Sequence, residues 1–162
     1  MDALVAWLQS TSLSHAIVLS TWVWPAAETL HFIGLALVIG IIGVLDLRLT
    51  GCFPSVPIAA IRDLVPYAVF GFLLNAVTGV VFLIGHPEQY VRNVAWWLKV
   101  GCLVLAGVNA AIFEWTVAAR ATTLGPHEPT SLAMRCIGLV SILAWFGVLY
   151  FGRMLPFVGS AF

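Results

Sequence analysis

Residues 22–50 read WVWPAAETLHFIGLALVIGIIGVLDLRLT, and this stretch decides the fold. Its middle, residues 32–45, carries no polar side chain. As a helix with a rise of ~1.5 Å per residue, the stretch would extend about 40 Å, which is more than the hydrocarbon core of a bilayer requires. Because polar groups at membrane depth are costly, we predict a spanning helix whose polar side chains pack against protein. These polar side chains lie near its two ends: Glu28, His31, Asp46 and Arg48.

The composition excludes a water-soluble protein. Of the 162 residues, 62% are hydrophobic and 9% are charged, whereas a soluble domain is nearer half apolar and a quarter charged. The length suits one domain of four spanning helices joined by short loops. The net charge is zero and no basic run occurs, so nucleic acid is not an expected partner. The expected partners are the lipid bilayer and other membrane subunits or further copies of the chain.

The chain divides into an N-terminal segment and a bundle. Residues 1–20 mix apolar residues with a polar patch that is too polar to span. We therefore predict an amphipathic interfacial segment, either one helix or a pair of helices, with Trp7 at headgroup level. Residues 21–162 are predicted to form the four-helix transmembrane bundle. The fold class is therefore an all-α membrane protein with an N-terminal interfacial helix. The four spans are predicted at about residues 22–49, 64–84, 94–119 and 131–152.

The positions of lysine and arginine predict the orientation. A small excess of basic residues on the side of the first and third loops favours those loops in the cytoplasm and both termini outside. The four on that side are Arg48, Arg62, Arg120 and Arg135, against Arg92, Lys99 and Arg153 on the other.

Two opposite charges are expected near the outer face. Glu28 and Lys99 each lie about one turn inside the outer start of a span, so antiparallel packing would place them at similar depth. One interpretation is a structural ion pair, and another is that each side chain reaches the surface separately. A third interpretation is a proton or anion site.

His31 lies about three residues deeper, on nearly the same helix face as Glu28. Asn75 of the second span is at a similar depth, on a face with Gly71, Thr78 and Gly79. We predict that His31 is the hydrogen-bonded centre of a polar cluster with Glu28, Asn75 and Lys99. The alternative is a haem or metal ligand, or a proton relay.

A second charged group is expected near the inner face. Asp46 and Arg48 should lie near Glu114 of the third span. We expect Arg48 to pair with Glu114 across the helices and Asp46 to bond a backbone end. The simpler interpretation is a belt of interfacial charges.

No catalytic signature identifies an enzyme. The sequence has no GxSxG, HExxH, P-loop or Rossmann glycine pattern, and no Cys/His cluster at zinc spacing. A haem with two histidine ligands is disfavoured, because no other histidine is expected at the depth of His31. Cys52, Cys102 and Cys136 are unevenly spaced, so we interpret them as small core residues.

Two motifs resemble those of a group of small uncharacterised bacterial membrane proteins. The first begins as W-x-x-x-E-x-x-H at residues 24–31 and ends as DLRL at residues 46–49. The second is WWLKVGCLVLAGVNAAIFE at residues 96–114. The group is distantly similar to four-helix b-type cytochromes and to the membrane domains of copper-resistance protein D. Many members have histidine at the position of Glu114, and this departure from the pattern weakens a metal or haem assignment at that position.

The resemblance implies a multi-pass protein of the bacterial inner membrane with a redox or copper link. The first functional hypothesis is therefore a redox-associated membrane module using haem b, quinone or copper, with His31 as the cofactor-binding residue. The second is a proton-coupled or small-molecule transport module using Glu28, His31, Asn75 and Lys99. The third is a structural subunit or anchor.

Overall fold

The computed structural model describes residues 2–158, and every regular element in this range is an α-helix. The four long helices are α3 (Val23–Thr50), α5 (Val65–Gly85), α7 (Val94–Thr116) and α9 (Leu132–Met154). The short helices are α1 (Asp2–Gln9), α2 (Ser12–Leu19), α4 (Ile58–Arg62), α6 (Pro87–Val91) and α8 (Ala118–Thr122). The predicted all-α fold class, a four-helix bundle with an N-terminal helical segment, is confirmed.

The long helices are apolar enough to cross a membrane, with α4 and α5 together forming one span, Ile58–Gly85. In the most apolar 18-residue segment of each span, only 17 to 28% of the residues are buried within the chain. Large side chains such as Phe32, Phe70, Trp115 and Phe146 therefore remain exposed. Such a surface is suited to lipid rather than to water, and the chain is a multi-pass membrane protein.

The helix bounds differ from the expected ones in the second and third spans. The second span was expected to begin at residue 64, but the short helix α4 (Ile58–Arg62) precedes that position. The third span was expected to continue to residue 119, but α7 ends at Thr116 and the short helix α8 follows. Thr116 and Val117 are both β-branched, and such residues favour a helix less than unbranched ones do. The backbone of Val117 leaves the helical region with φ −125° and ψ −11°.

The long helices pack in the order α5, α3, α9, α7. Extensive contacts join α3 to α5, α3 to α9 and α7 to α9, whereas α5 and α7 share few backbone contacts in the described chain.

We call the two ends of the bundle the terminal end and the loop end. The terminal end holds α1, α2 and α6, and the loop end holds α4, α8 and the loops 51–57 and 123–131.

Glycines set the distance between these helices. A Cβ atom built on Gly34 of α3 would lie 2.6 Å from the carbonyl oxygen of Gly71 of α5. A Cβ atom on Gly138 of α9 would lie 2.8 Å from the carbonyl oxygen of Asp46. Since real Cβ atoms do not approach so closely, both contacts require a residue without a side chain.

The loop end contains a buried apolar cluster. Leu49, Ile58, Ala121 and Met134 are at most 1% exposed, and they bring α3, α4, α8 and α9 together. Arg48 lies among them, 1% exposed, and donates hydrogen bonds to the loop carbonyl oxygens of Val56 at 2.9 Å and Glu128 at 3.3 Å. The apolar cluster and one arginine therefore hold the two loops against α3.

The N-terminal segment forms a pair of short helices, which is one of the two arrangements expected for it. The hydroxyl group of Thr11 accepts a hydrogen bond from Ser14 N–H and so caps α2, while the Ser10 side chain bonds back to the Trp7 carbonyl. Such local side-chain bonds compete with a continuous helix. Helix α1 contacts α6, and α2 lies along α5. An apolar groove of about 630 Å³ lies beside α2 and α5.

Candidate functional site

His31 lies at the contact between α3 and α5. Its Nδ1 atom is 2.7 Å from Oγ1 of Thr78, and that hydroxyl is 2.8 Å from the carbonyl oxygen of Leu74 on its own helix. Because Thr78 has one hydroxyl hydrogen, its bond to Leu74 leaves its oxygen to accept from His31. This pattern assigns the imidazole hydrogen to Nδ1.

Asn75, about one turn before Thr78 on α5, also contacts His31. Its hydrogen bonds are satisfied when its amide nitrogen donates to the His31 carbonyl at 2.6 Å and its oxygen accepts from Leu35 N–H at 2.9 Å. The nitrogen is also 3.2 Å from His31 Nδ1, and it would compete with Thr78 for that atom. We favour Thr78 as the partner of Nδ1, because its contact is shorter and Asn75 has the backbone carbonyl to bind.

The other imidazole nitrogen of His31 is available. Nε2 makes no hydrogen bond to any residue within 2–158, and it is not among the fully enclosed polar atoms of that range. With the hydrogen on Nδ1, Nε2 carries a lone pair that can accept a hydrogen bond or coordinate a metal. A bonded Nδ1 and a free Nε2 form the arrangement that orients ligating histidines.

Aromatic rings lie next to His31 toward the terminal end. The ring of Phe82 is 5.4 Å from the imidazole, centroid to centroid, and Trp24 is 5.0 Å from Phe82. Trp24 in turn contacts His86 edge-on at 5.0 Å. His86 is thus linked to His31 through two intervening aromatic rings rather than by direct contact.

Glu28 and Lys99 do not form the expected ion pair among the residues described. Glu28 is exposed, and its Oε1 accepts a hydrogen bond from Trp24 Nε1 at 3.0 Å. Depth alone predicted the pair, but the two side chains point in different directions around the bundle. Burial, with the nearby charge of Glu28, raises the pKa of Tyr90 in α6 to about 12.

Lys99 lies against α9. Its side chain lies along Gly152, where a built Cβ atom would be 3.8 Å from Nζ. Of the predicted cluster, His31 and Asn75 are in contact, whereas Glu28 binds Trp24 and Lys99 lies along α9. Within the described chain, Nζ makes no hydrogen bond and no ion pair.

At the loop end, the predicted Arg48–Glu114 pair is wrong. Glu114 accepts two hydrogen bonds from Arg62, at 2.7 and 3.0 Å, while Arg48 binds backbone carbonyl oxygens. Arg62 lies on α4, a helix inside the segment expected to be a loop. This short helix brings the guanidinium group to Glu114, where Arg48 was expected.

Asp46 also differs from its expected contact with a backbone end. It is 3% exposed, and its carboxyl group lies beside the hydroxyl group of Ser141 on α9. Its Oδ2 oxygen is fully enclosed and has no hydrogen-bond partner within residues 2–158. The loop end therefore contains a buried carboxyl group and a buried arginine that do not bind each other.

Three functional neighbours were not singled out by sequence reasoning. Thr78 was placed on the correct face of α5, yet Asn75 was preferred as the partner of His31. Gly34 and Ser141 carried no signal beyond their helical spacing from His31 and from Gly138, respectively.

The donor set does not suit a copper site within the described chain. No three side chains of His, Cys, Asp or Glu come together there to hold a metal ion, and Cys52, Cys102 and Cys136 are unpaired thiols.

Comparison with known proteins finds no family model that matches the chain, and no curated protein or solved structure with significant similarity to it. The resemblance to small bacterial membrane proteins and to copper-resistance protein D thus stays a prediction, and the function must be argued from the His31 site itself.

Proposed function

We propose that this protein is a redox-associated membrane module whose His31 site binds a quinol. The observation that carries the proposal is the imidazole of His31, which is oriented by Thr78 and leaves Nε2 free. A quinol hydroxyl group is a hydrogen-bond donor, and a lone-pair nitrogen inside a membrane span is the acceptor that it needs.

The surroundings of His31 support a flat, lipid-soluble ligand. Ligand sites of this kind combine apolar and aromatic walls with a few polar groups that fix the orientation. Phe82 and Trp24 provide the aromatic wall. His31 lies about 12 Å along α3 from the helix start, at a rise of ~1.5 Å per residue. A quinol reaches this depth from within the bilayer.

Haem b fits these residues less well. A haem held by two histidines requires a second imidazole opposite the first, and His86 is reached from His31 only through Phe82 and Trp24. A haem held by His31 alone needs no second ligand, and it is therefore the outcome that the test must distinguish.

The test is to identify what the purified protein carries. The chain purified in mild detergent is extracted with organic solvent, and its quinone content is measured beside its visible absorbance spectrum. We expect quinone in the parent and several-fold less in His31→Leu. Asp63→Asn is the matched control, since Asp63 is exposed and lies directly after α4 at the loop end, away from the site; it should retain the parent content.

Two results contradict the proposal. A Soret band that disappears in His31→Ala would assign the site to haem. A protein without quinone, whose composition does not depend on His31, would favour a structural subunit.

We also propose that the loop end faces the cytoplasm of a bacterial inner membrane, because Arg48, Arg62, Arg120 and Arg135 all lie there. In a cysteine-free background, Glu88→Cys at the terminal end should react with a membrane-impermeant thiol reagent added to intact cells. Gly125→Cys at the loop end should react only after the cells are opened. The reverse pattern would refute this orientation.

A further inference from the structure

Asp46 lies on the surface where α3 packs against α9. Only 3% of the residue is exposed, and Ser141 places a hydroxyl group beside its carboxyl group. Oδ2 is enclosed and has no hydrogen-bond partner within residues 2–158. An ionised carboxylate in such a place would be a buried charge without compensation, which is one of the most costly arrangements in a protein interior.

The nearest cation along the chain does not provide that compensation. Arg48 is two residues from Asp46, so its side chain leaves the helix on a different face. Its guanidinium group is engaged by the carbonyl oxygens of Val56 and Glu128 in the two loops. The position of Arg48 is fixed by these bonds and by its burial, and it is therefore not free to turn toward Asp46.

The other helices packed against α3 bring no free counter-charge to Asp46. On α4, Arg62 is paired with Glu114 of α7. On α9, Arg135 is exposed, and its Nε donates to Thr130 at 3.3 Å. The titratable residues on the two remaining neighbours are the 60% exposed Tyr67 near the start of α5 and His15 on α2 at the terminal end.

The enclosed Oδ2 atom leaves no room beside it for a hydrated ion. At Gly138, one turn before Ser141, the backbones of α3 and α9 approach so closely that a Cβ atom would lie 2.8 Å from the Asp46 carbonyl oxygen. Next to Gly138 on the same helix, the Ile137 carbonyl accepts a hydrogen bond from Asn109 of α7 at 3.1 Å. A proton needs almost no space, and its binding neutralises the Asp46 carboxylate.

We propose that Asp46 is a proton-binding site at the α3–α9 contact. Its carboxyl group binds a proton as COO⁻ + H⁺ → COOH, and the helix contact encloses the resulting acid next to Ser141. The site is about 22 Å from His31 along α3, at ~1.5 Å per residue. The inference holds whether or not the His31 site binds a quinol.

Infrared spectroscopy of the whole protein in lipid at neutral pH tests the proposal. A protonated carboxyl group has a carbonyl stretching band that carboxylates lack, and the band shifts in D₂O when the proton exchanges. We expect this band in the parent protein and its loss in Asp46→Asn, which keeps the shape of the protonated acid. Glu114→Gln removes a carboxylate that is paired with Arg62, and this control should leave the band unchanged.

One further variant completes the test. Ser141→Ala should move the band to a different frequency, because the hydroxyl group beside the carboxyl group is lost; this variant also decides the matter if Asp46→Asn fails to fold. Identical infrared bands in the parent, in Asp46→Asn and in Ser141→Ala would overturn the proposal.

Discussion

Replacing Arg48 with leucine should cost about 3–5 kcal/mol of bundle stability, because each lost charged hydrogen bond is worth ~1.5–3 kcal/mol and two carbonyl groups remain without a donor. The two carbonyl groups are those of Val56 and Glu128, at 2.9 and 3.3 Å from the guanidinium nitrogens. The free energy of unfolding in detergent, measured against a denaturant, provides the comparison with the parent.

Arg120→Leu is the matched control for this substitution. Arg120 lies at the same end of the bundle, is exposed, and carries the same charge. Its replacement should change the stability by no more than about 0.5 kcal/mol, as is usual for surface positions. Equal losses in the two variants would mean that the charge at this end matters and that the contacts of Arg48 with the loops do not.

Replacing Gly34 with alanine should destabilise the contact between α3 and α5 by about 1–3 kcal/mol, the usual cost of overpacking. The new methyl group would lie 2.6 Å from the carbonyl oxygen of Gly71 and 3.0 Å from the Asn75 side chain. The helices must then separate, and the hydrogen bonds of His31 to α5 should be disturbed as well. The measurements are the stability and the quinone content of the variant.

Gly40→Ala on the same helix is the control, since a Cβ atom there meets nothing within 4 Å. Alanine is the better helix former by ~1 kcal/mol, so this variant should be as stable as the parent or more stable. If Gly34→Ala behaved like Gly40→Ala, the close approach of α3 and α5 would be refuted.

The sequence was sufficient to predict the bundle because hydropathy and helical rise act on one helix at a time. Residues 32–45 could only be accommodated as a span, and the proline, glycine and polar residues between the apolar stretches marked where each span ends. The break at Thr116 was missed, because two β-branched residues shorten a helix without preventing one.

The depth of each residue in the membrane was also predictable, but the direction in which its side chain points around the helix was not. Counting residues placed Asn75 at the depth of His31, and the two are in contact. The same counting placed Glu28 with Lys99, which are not paired in the described chain. Two residues can pair only if they lie at the same depth and their side chains point toward each other. The second condition depends on how each helix is rotated about its axis when the glycine contacts form.

The inner charges illustrate a second limit. Arg62 lay in a segment expected to be a loop, and only the short helix α4 brings it to Glu114. Arg48 was then free to bind the two loops, and Asp46 was left with Ser141. Which of these charged residues pair depends on tertiary contacts, and the spacing of residues along one helix does not predict such contacts.

The most direct measurement of the central claim is photo-crosslinking with an azido-quinone of short chain length, followed by mass spectrometry of the peptides. The quinol-binding account predicts a light-dependent adduct on α3 or α5 close to His31, Thr78 or Phe82. An excess of unlabelled quinone should suppress the adduct, and His31→Leu should lose most of it. Adducts scattered over the lipid-facing residues, unaffected by competitor and by His31→Leu, would contradict the account.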